Sequence, residues 1–169
     1  MNLKEATKDK HRQAEETALS RLLISGTMRE HTYSAFMENM LSIYEELERD
    51  GMIVKPEVLR VQRVRDDMEK LGHKPYGQAL STIYYVRYLA ELPPERRWAH
   101  IYVHYLGNMY GGQMIARRLP GPHSHLEFDD LDGCKSYVRS NLEGVPADEA
   151  NAAFDWTIRI YDELHRLFG

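Results

Sequence analysis

The sequence predicts an all-α protein, folded as one compact domain of about seven helices over residues 1–169. Apolar residues recur at intervals of three and four along most of the chain, which is the spacing of one face of a helix. No stretch shows the apolar–polar alternation that is typical of a strand. A length of 169 residues suits one domain with one hydrophobic core.

Capping residues, glycines and prolines set the ends of the predicted helices. Asn2 with Glu5 is a capping box that begins the first helix, and Gly26 ends it. A second capping box, Thr27 with Glu30, begins the next helix. This second helix ends at Gly51, and the others are predicted at 56–71, 78–92, 94–119, 131–142 and 146–168, with a loop at 121–130.

Composition and charge exclude several classes of protein. Lys and Arg number 22 against 26 Asp and Glu, and the net charge of -4 argues against a nucleic-acid binder, which needs clustered cations. No apolar run reaches the roughly 20 residues of a membrane span, and the first five residues hold no signal-peptide core. The single cysteine, Cys134, fits a reducing compartment. We expect a cytoplasmic monomer without a membrane anchor.

Three glycines interrupt the fifth predicted helix at its centre: Gly107, Gly111 and Gly112. Each costs a helix about 1 kcal/mol relative to alanine, so the cluster lowers helix stability by about 3 kcal/mol. Such a cluster permits a kink and lets the backbone approach a flat ligand, since no Cβ stands in the way. The alternative is close helix packing, with Gly107 and Gly111 as small residues four apart.

His11 lies on the apolar face of the first predicted helix, one turn before Glu15. It is either a core histidine or a metal ligand whose second ring nitrogen is held by the Glu15 carboxylate. No second ligand stands at zinc spacing around it, and we expect His123 and His125 in the predicted loop to be solvated. One histidine and a glycine-interrupted helix together suggest a metal carried by a planar macrocycle.

Three cations are candidates for binding an anion. Lys135 and Arg139 are one turn apart on the sixth predicted helix, and Lys4 is on the first helix near His11. They either belong to a solvated face or hold the carboxylates of a ligand at the rim of a pocket. No nucleophile elbow, P-loop or dinucleotide-binding motif is present.

The chain resembles the haem oxygenase family, in order and nearly end to end. LKEATKDKHRQAE (3–15) is similar to the segment that carries the axial histidine, and AHIYVHYLGNMYGGQ (99–113) is similar to the distal helix. KSYVRSN (135–141) resembles the stretch that supplies propionate partners, and 153–164 also follows the family pattern. The resemblance implies the family's helical fold, and the O2-dependent cleavage of haem at a meso carbon to biliverdin, carbon monoxide and ferrous iron.

The resemblance also implies roles for individual residues. The catalytic residues that it implies on the distal side are Tyr44, His104, Gly107, Asn108 and Gly111. The residues that it implies to bind haem or its propionates are Lys4, His11, Glu15, Tyr102, Gly112, Lys135, Arg139 and Phe154. Of these, His11 would be the axial ligand of the iron, oriented by Glu15. Electrons would come from an external donor, which could be a ferredoxin, a flavoprotein reductase or ascorbate.

Three positions depart from the family pattern. Asn108 stands where many members have an aspartate, His104 where an arginine is frequent, and Thr157 where an asparagine is common, whereas Tyr44 matches. These departures concern proton delivery through water more than haem binding. His104 is either a general acid that faces the oxygen or a residue one layer back that relays protons, and we favour the second.

The sequence leaves two rival functions open. The first is a protein of the same fold that stores, senses or delivers haem without degrading it. The second is an all-α domain that binds no haem, for which His11, the glycine cluster and the cationic pair would be coincidences.

Overall fold

The structure, a computed structural model, describes residues 2–169, so Met1 of the predicted domain lies outside the described residues. Over residues 2–169 all regular structure is helical and no β-strand occurs, which confirms the all-α prediction. Within that range, no helix is both long enough and apolar enough to cross a membrane.

The helices follow one another with short connections. They are α1 (Leu3–Ala6), α2 (Lys8–Glu15), α3 (Ala18–Ser25), α4 (Glu30–Glu48), α5 (Val61–Leu71), α6 (Leu80–Ala90), α7 (Pro94–Ile101), α8 (Gly107–Ile115), α9 (Leu131–Ser140) and α10 (Ala147–Phe168). A π-helical turn at Tyr102–Leu106 joins α7 to α8, and 3-10 turns occur at Pro56–Val58, Ala116–Arg118 and Ser124–Leu126.

The seven predicted segments correspond to these helices, with two segments subdivided. The first is divided into α1, α2 and α3, and the fifth into α7, the π-helical turn and α8. The Asn2 side chain caps α1 as predicted, because its Oδ1 accepts the N–H of Glu5 at 2.8 Å. Gly26 and Gly72 end α3 and α5 with φ of +74°, a left-handed conformation that favours glycine.

The predicted capping box at the start of α4 is wrong. The N-cap residue is Arg29, and no side chain caps the helix. The Thr27 hydroxyl instead lies 2.7 Å from the hydroxyl of Ser25. The chain stays extended through Arg29, and Met28 just before it is buried in the core. Core packing of Met28 therefore moves the helix start beyond Thr27.

The start of α5 is set by a side chain from α4. The sequence predicts a helix from Pro56, but Pro56–Val58 forms only a 3-10 turn and α5 begins at Val61. Glu48 Oε2 accepts the N–H of Arg60 at 2.7 Å, and its Oε1 accepts the N–H of Val61 at 3.3 Å. A carboxylate at this position satisfies N–H groups that the first helical turn leaves unpaired.

Arg60 ties the predicted loop at 121–130 to the core. Its side chain is fully buried, and its guanidinium donates to the carbonyl oxygens of Val58 at 3.1 Å, His125 at 3.0 Å and Glu127 at 2.8 Å. The guanidinium also lies 3.7 Å from the centre of the Phe128 ring. Burial lowers the pKa of Arg60 to about 10, which leaves it charged at neutral pH. One buried cation thus fixes the backbone of this loop.

We expect Arg60→Leu to lower the free energy of unfolding by about 3 kcal/mol or more, because the buried carbonyl oxygens would lose their donors. Urea denaturation followed by circular dichroism measures this change. Arg65→Leu is the matched control, since Arg65 is half-exposed in a 3.6 Å ion pair with Glu45 and should change stability by less than about 1 kcal/mol. Equal effects of the two substitutions would contradict the anchoring role.

Candidate functional site

A cavity of about 340 Å³ lies among α2, α4, α8 and α10. Its volume is within the range of about 300–1,000 Å³ that is typical of small-molecule sites. Most of its wall is apolar, with side chains that include Leu23, Met37, Met40, Val64, Val103, Ile115 and Leu126. The few polar groups in the wall therefore determine its chemistry.

The cavity brings together most of the predicted site residues. Those that line it are His11, Glu15, Tyr44, His104, Gly107, Asn108, Gly111, Gly112 and Phe154. Those that do not line it are Lys4, Tyr102, Lys135 and Arg139. Residues that are 100 positions or more apart in the sequence thus converge on one space.

His11 occupies the part of the cavity wall that α2 supplies. Its side chain is 61% exposed, so it is not a core histidine. Nε2 lies 3.1 Å from Glu15 Oε1, and the ring stacks on Phe154 with centroids 5.4 Å apart. Over residues 2–169 there is no group of three or more His, Cys, Asp or Glu side chains placed to hold a metal ion. The ring is held on two sides, by a carboxylate and by an aromatic face.

The glycines of α8 divide into two kinds. A Cβ added to Gly107 or Gly111 would meet no atom within 4 Å, so the close-packing alternative is wrong for this pair. A Cβ on Gly112 would lie 2.9 Å from Cδ2 of Leu126, so Gly112 does pack closely, against the 121–130 loop. Because Gly107 and Gly111 line the cavity, their bare backbone forms part of its wall.

The fifth predicted helix departs from α geometry before its glycines rather than at them. The glycine cluster at 107–112 permits a kink, but Gly107–Ile115 is regular α-helix and the π-helical turn covers Tyr102–Leu106. Such single π turns are frequent at functional sites. His104 stands in the middle of this turn, where it is nearly buried and lines the cavity.

A polar pair stands beside the glycines. The Asn108 amide donates to the hydroxyl oxygen of Tyr44 at 2.5 Å. Burial raises the pKa of Tyr44 to about 12, although this hydrogen bond lowers it, so the hydroxyl keeps its proton at neutral pH. Thr157 also lines the cavity, but its hydroxyl donates to the carbonyl of Ala153 at 2.9 Å, within its own helix.

His104 makes its hydrogen bond away from the cavity. Its Nε2 lies 2.8 Å from the Tyr85 hydroxyl, which is also 2.6 Å from Nδ1 of His100. Burial lowers the pKa of His104 to about 3, and the nearby His100 lowers it further. The pKa of His100 is lowered to about 4, again chiefly by burial. Both imidazoles are therefore neutral at pH 7.

Sequence reasoning missed His125. It is not solvated, since it is nearly buried and lines the cavity, while His123 is half-buried. Its Nδ1 lies 2.7 Å from Oδ2 of Asp67, whose Oδ1 accepts the Ser124 hydroxyl at 2.7 Å. Burial alone would raise the pKa of Asp67, but these hydrogen bonds bring it to about 2. The sequence contained one indication of this buried pair, because Asp67 follows Val64 by three positions and so lies on the apolar face of α5.

The predicted cations lie outside the cavity wall. Lys135 Nζ is 4.3 Å and the Arg139 guanidinium 5.1 Å from the centre of the Tyr110 ring, which α8 presents to solvent. Lys4 is exposed on α1, and Tyr102 is half-buried against the apolar cluster beside α10. Lys135 and Arg139 thus gather on the exposed ring of Tyr110, the residue that precedes Gly111 in the chain.

Comparisons with known proteins agree on one family. The family described as "Heme oxygenase" matches residues 1–163. "Heme oxygenase 1" of Synechocystis is 26% identical over 96% of this chain and 82% of its own length, and "Heme oxygenase 1" of Bos taurus is 30% identical over 98% and 71%. Among solved structures, the haem complex of the Synechocystis protein has a TM-score of 0.84 at 23% identity, covering 98% of this chain and 91% of that one. The heme oxygenase of Leptospira interrogans has a TM-score of 0.82 at 26% identity, covering 95% and 97%.

We expect Gly107→Ala and Gly112→Ala to differ in stability although both glycines lie in α8. Both variants gain about 1 kcal/mol of helix propensity, but only the Cβ at Gly112 must displace Leu126. Gly112→Ala should therefore unfold at a free energy about 1–3 kcal/mol below that of Gly107→Ala. Chemical denaturation of the two proteins without ligand measures the difference, and equal stabilities would refute the assignment of Gly107 to open space.

We expect stability to fall as the pH drops from 7 to 5, because His100 and His104 take up protons near pH 6.5 when unfolded but not when folded. The two neutral histidines therefore contribute fully to stability above pH 6.5. This contribution is lost progressively as the pH falls from 6.5 toward their pKa values in the folded protein, about 4 and about 3. His104→Gln keeps a hydrogen-bonding group but cannot titrate, so it should lose about 2 kcal/mol less than the wild type over this range. Urea titrations at pH 7 and pH 5 test this, and parallel losses in the two proteins would show that His104 is not held neutral.

Proposed function

The chain belongs to the haem oxygenase family, and from this membership we propose that it cleaves haem with O2 at a meso carbon to biliverdin, carbon monoxide and ferrous iron. The observation that carries the proposal is a cavity whose wall holds both the His11 imidazole and the bare backbone of Gly107 and Gly111. A flat macrocycle suits this wall because the space that a Cβ would fill is open. Bound haem would supply the iron that activates O2 and the carbon that is oxidised.

We infer that His11 would hold the iron of bound haem. One ring nitrogen is held by Glu15 at 3.1 Å, which leaves the other free to bind a metal. A carboxylate behind a ligating imidazole fixes the orientation of the ring. The stack on Phe154 restricts the tilt of the same ring. Glu15 and Phe154 are therefore positioning residues for His11.

On the α8 side, the glycines and Asn108 have separate roles in the proposal. Gly107 and Gly111 would let the backbone approach bound haem closely, which would limit the room left beside it for a small molecule. Asn108 donates its amide to Tyr44, so its Oδ1 and the Tyr44 hydroxyl proton remain available for a water molecule. Asn108 has no anionic state, so it can orient a water molecule but cannot store a proton.

We propose that Lys135 and Arg139 bind the haem propionates at the edge of α8, and that Lys4 and Tyr102 assist from α1 and the π-helical turn. Support comes from the position of the first two cations on Tyr110, next to Gly111. Arg and Lys both pair with carboxylates, and Arg can do so through two hydrogen bonds. These contacts require the cations to lie at the mouth of the cavity rather than in its wall.

The remaining features of the proposal concern the surroundings of the enzyme. We propose a single domain that acts as a monomer in the cytoplasm, with electrons from a ferredoxin, a flavoprotein reductase or ascorbate. The one cysteine, Cys134, is a buried free thiol, as suits a reducing compartment. The net charge of -4 argues against a nucleic-acid partner.

We expect the purified protein to bind haemin and, with ascorbate or a ferredoxin–reductase couple in air, to lose its Soret band while biliverdin absorption and carbon monoxide appear. Optical spectroscopy and gas detection measure these products. His11→Ala should bind haemin at least about tenfold more weakly and form no biliverdin, because the iron loses its protein ligand. His165→Ala, on α10 and outside the cavity wall, is the matched control.

A Soret band that stays unchanged under reductant would contradict the proposed reaction and favour a haem carrier. Failure to bind haemin at all would contradict both the proposed reaction and the haem-carrier alternative. Turnover by His11→Ala at the wild-type rate would reject His11 as the ligand while leaving the reaction intact.

A further inference from the structure

The exposed ring of Tyr110 is the meeting point of two cations from α9. Lys135 Nζ lies 4.3 Å and the Arg139 guanidinium carbon 5.1 Å from the centre of this ring. Both distances are within the roughly 6 Å over which a cation is attracted to an aromatic face. The two cations are one turn apart on α9, so a single ring reaches both. Tyr110 thus connects α8 to the side of α9 that carries positive charge.

Tyr110 does not belong to the apolar core. Its side chain is 42% exposed, and among residues 2–169 it is part of neither of the two apolar clusters. Tyr102, two turns earlier in the chain, packs against both clusters. What the ring of Tyr110 contacts on α9 is therefore positive charge rather than an apolar surface.

The two cations on this ring keep their capacity to bind an anion, because neither has a carboxylate partner among residues 2–169. The two aspartates that precede α9 are paired elsewhere, Asp129 with Arg63 at 3.0 Å and Asp130 with Lys55 at 3.2 Å. An aromatic face attracts a cation without cancelling its charge, whereas a carboxylate would cancel it. One of the two cations is half-buried and the other is exposed, so an anion can reach both from solvent.

Tyr110 stands beside the cavity without lining it. Gly107, Gly111 and Met114 line the cavity from one face of α8, and Tyr110 is not part of that wall. In a regular α-helix each residue turns by about 100°, so Tyr110 lies about 60° around the axis from Gly107 and about 100° from Gly111. The ring and its two cations therefore border the face of α8 that a flat ligand would contact.

We propose that Tyr110 is a positioning residue that holds Lys135 and Arg139 together as a binding site for the two carboxylates of a flat, dianionic ligand. The proposal rests on the proposed function, in which that ligand is haem and the carboxylates are its propionates. Lys and Arg side chains have many rotamers, and a ring that restricts them lowers the entropy that is lost when a carboxylate binds. Tyr110 thus acts through the two cations rather than on the reacting atoms.

This role requires an aromatic face and not merely a bulky side chain. Tyr110→Phe keeps the face and loses only the hydroxyl, whereas Tyr110→Leu keeps apolar bulk and loses the face. Tyr84→Leu is the matched control, because Tyr84 is 54% exposed on α6, lies outside the cavity wall and has no cation over its ring among residues 2–169. Thermal midpoints check that each variant is folded.

The first measurement needs no ligand. Protons above the face of an aromatic ring are shielded, so the ε-methylene protons of Lys135 should resonate at lower frequency than those of exposed lysines in two-dimensional NMR spectra. We expect this shielding in the wild type, in Tyr110→Phe and in Tyr84→Leu, and its loss in Tyr110→Leu. An unshielded Lys135 in the wild type, or shielding that survives in Tyr110→Leu, would overturn the proposal.

The second measurement compares titrations with haemin and with haemin dimethyl ester, in which both carboxylates are blocked. Tyr110→Leu should bind haemin about three- to tenfold more weakly than the wild type, because two cation–π contacts no longer hold the cations in place. The same variant should bind the ester with wild-type affinity, and Tyr110→Phe and Tyr84→Leu should match the wild type with both ligands. Equal losses for haemin and its ester, or no loss for haemin, would contradict a role through the carboxylates.

A combined variant tests whether Tyr110 acts through the cations. In protein that carries both Lys135→Ala and Arg139→Ala, adding Tyr110→Leu should cause no further loss of haemin affinity. A further loss of threefold or more, about that expected in the wild-type background, would show that Tyr110 acts on its own and would refute the proposal. If the wild type binds haemin but forms no biliverdin with a reductant in air, the proposed function fails, and these affinities still decide the role of Tyr110.

Discussion

The hydrogen bonds of Glu48 and Arg60 are the interactions on which the open space beside Gly107 and Gly111 depends. A helix with three glycines in six positions is intrinsically weak, so its geometry must be imposed by neighbours. Tyr105 in the π-helical turn supplies one attachment, because its hydroxyl donates to Glu48 at 2.7 Å. Glu48 also caps α5 through the N–H groups of Arg60 and Val61. A single half-buried carboxylate therefore joins α4, α5 and the turn that leads into α8.

Arg60 continues this frame to the far side of the cavity. It binds the backbone of the 121–130 loop, and Leu126 of that loop packs on Gly112 of α8. The contacts thus run from the π-helical turn through α4, α5 and the loop back to α8. The space beside Gly107 and Gly111 stays open because surrounding elements are fixed, not because α8 is rigid by itself. Removal of Arg60 would release the loop and α8 together.

The sequence predicted those features of the site whose residues are close in the chain. The spacing of His11 and Glu15 and the glycine cluster at 107–112 can both be read without a structure, and both lie in the cavity wall. Features that depend on distant residues were not predictable. The Asp67–His125 pair joins residues 58 apart, and the Tyr85–His100–Glu149 series joins three helices. The π-helical turn was also missed, because no residue type marks it.

Two histidines could bind the iron, since His11 and His125 both line the cavity and both have a carboxylate partner. Resonance Raman spectra of the ferrous haem complex, with and without 15N-labelled histidine, report the iron–nitrogen stretch. If His11 binds the iron, the label shifts this stretch, which is absent from His11→Ala, returns there with added imidazole, and is unchanged in His125→Ala. A stretch that persists in His11→Ala without imidazole, or is lost in His125→Ala, would show that His11 is not the ligand.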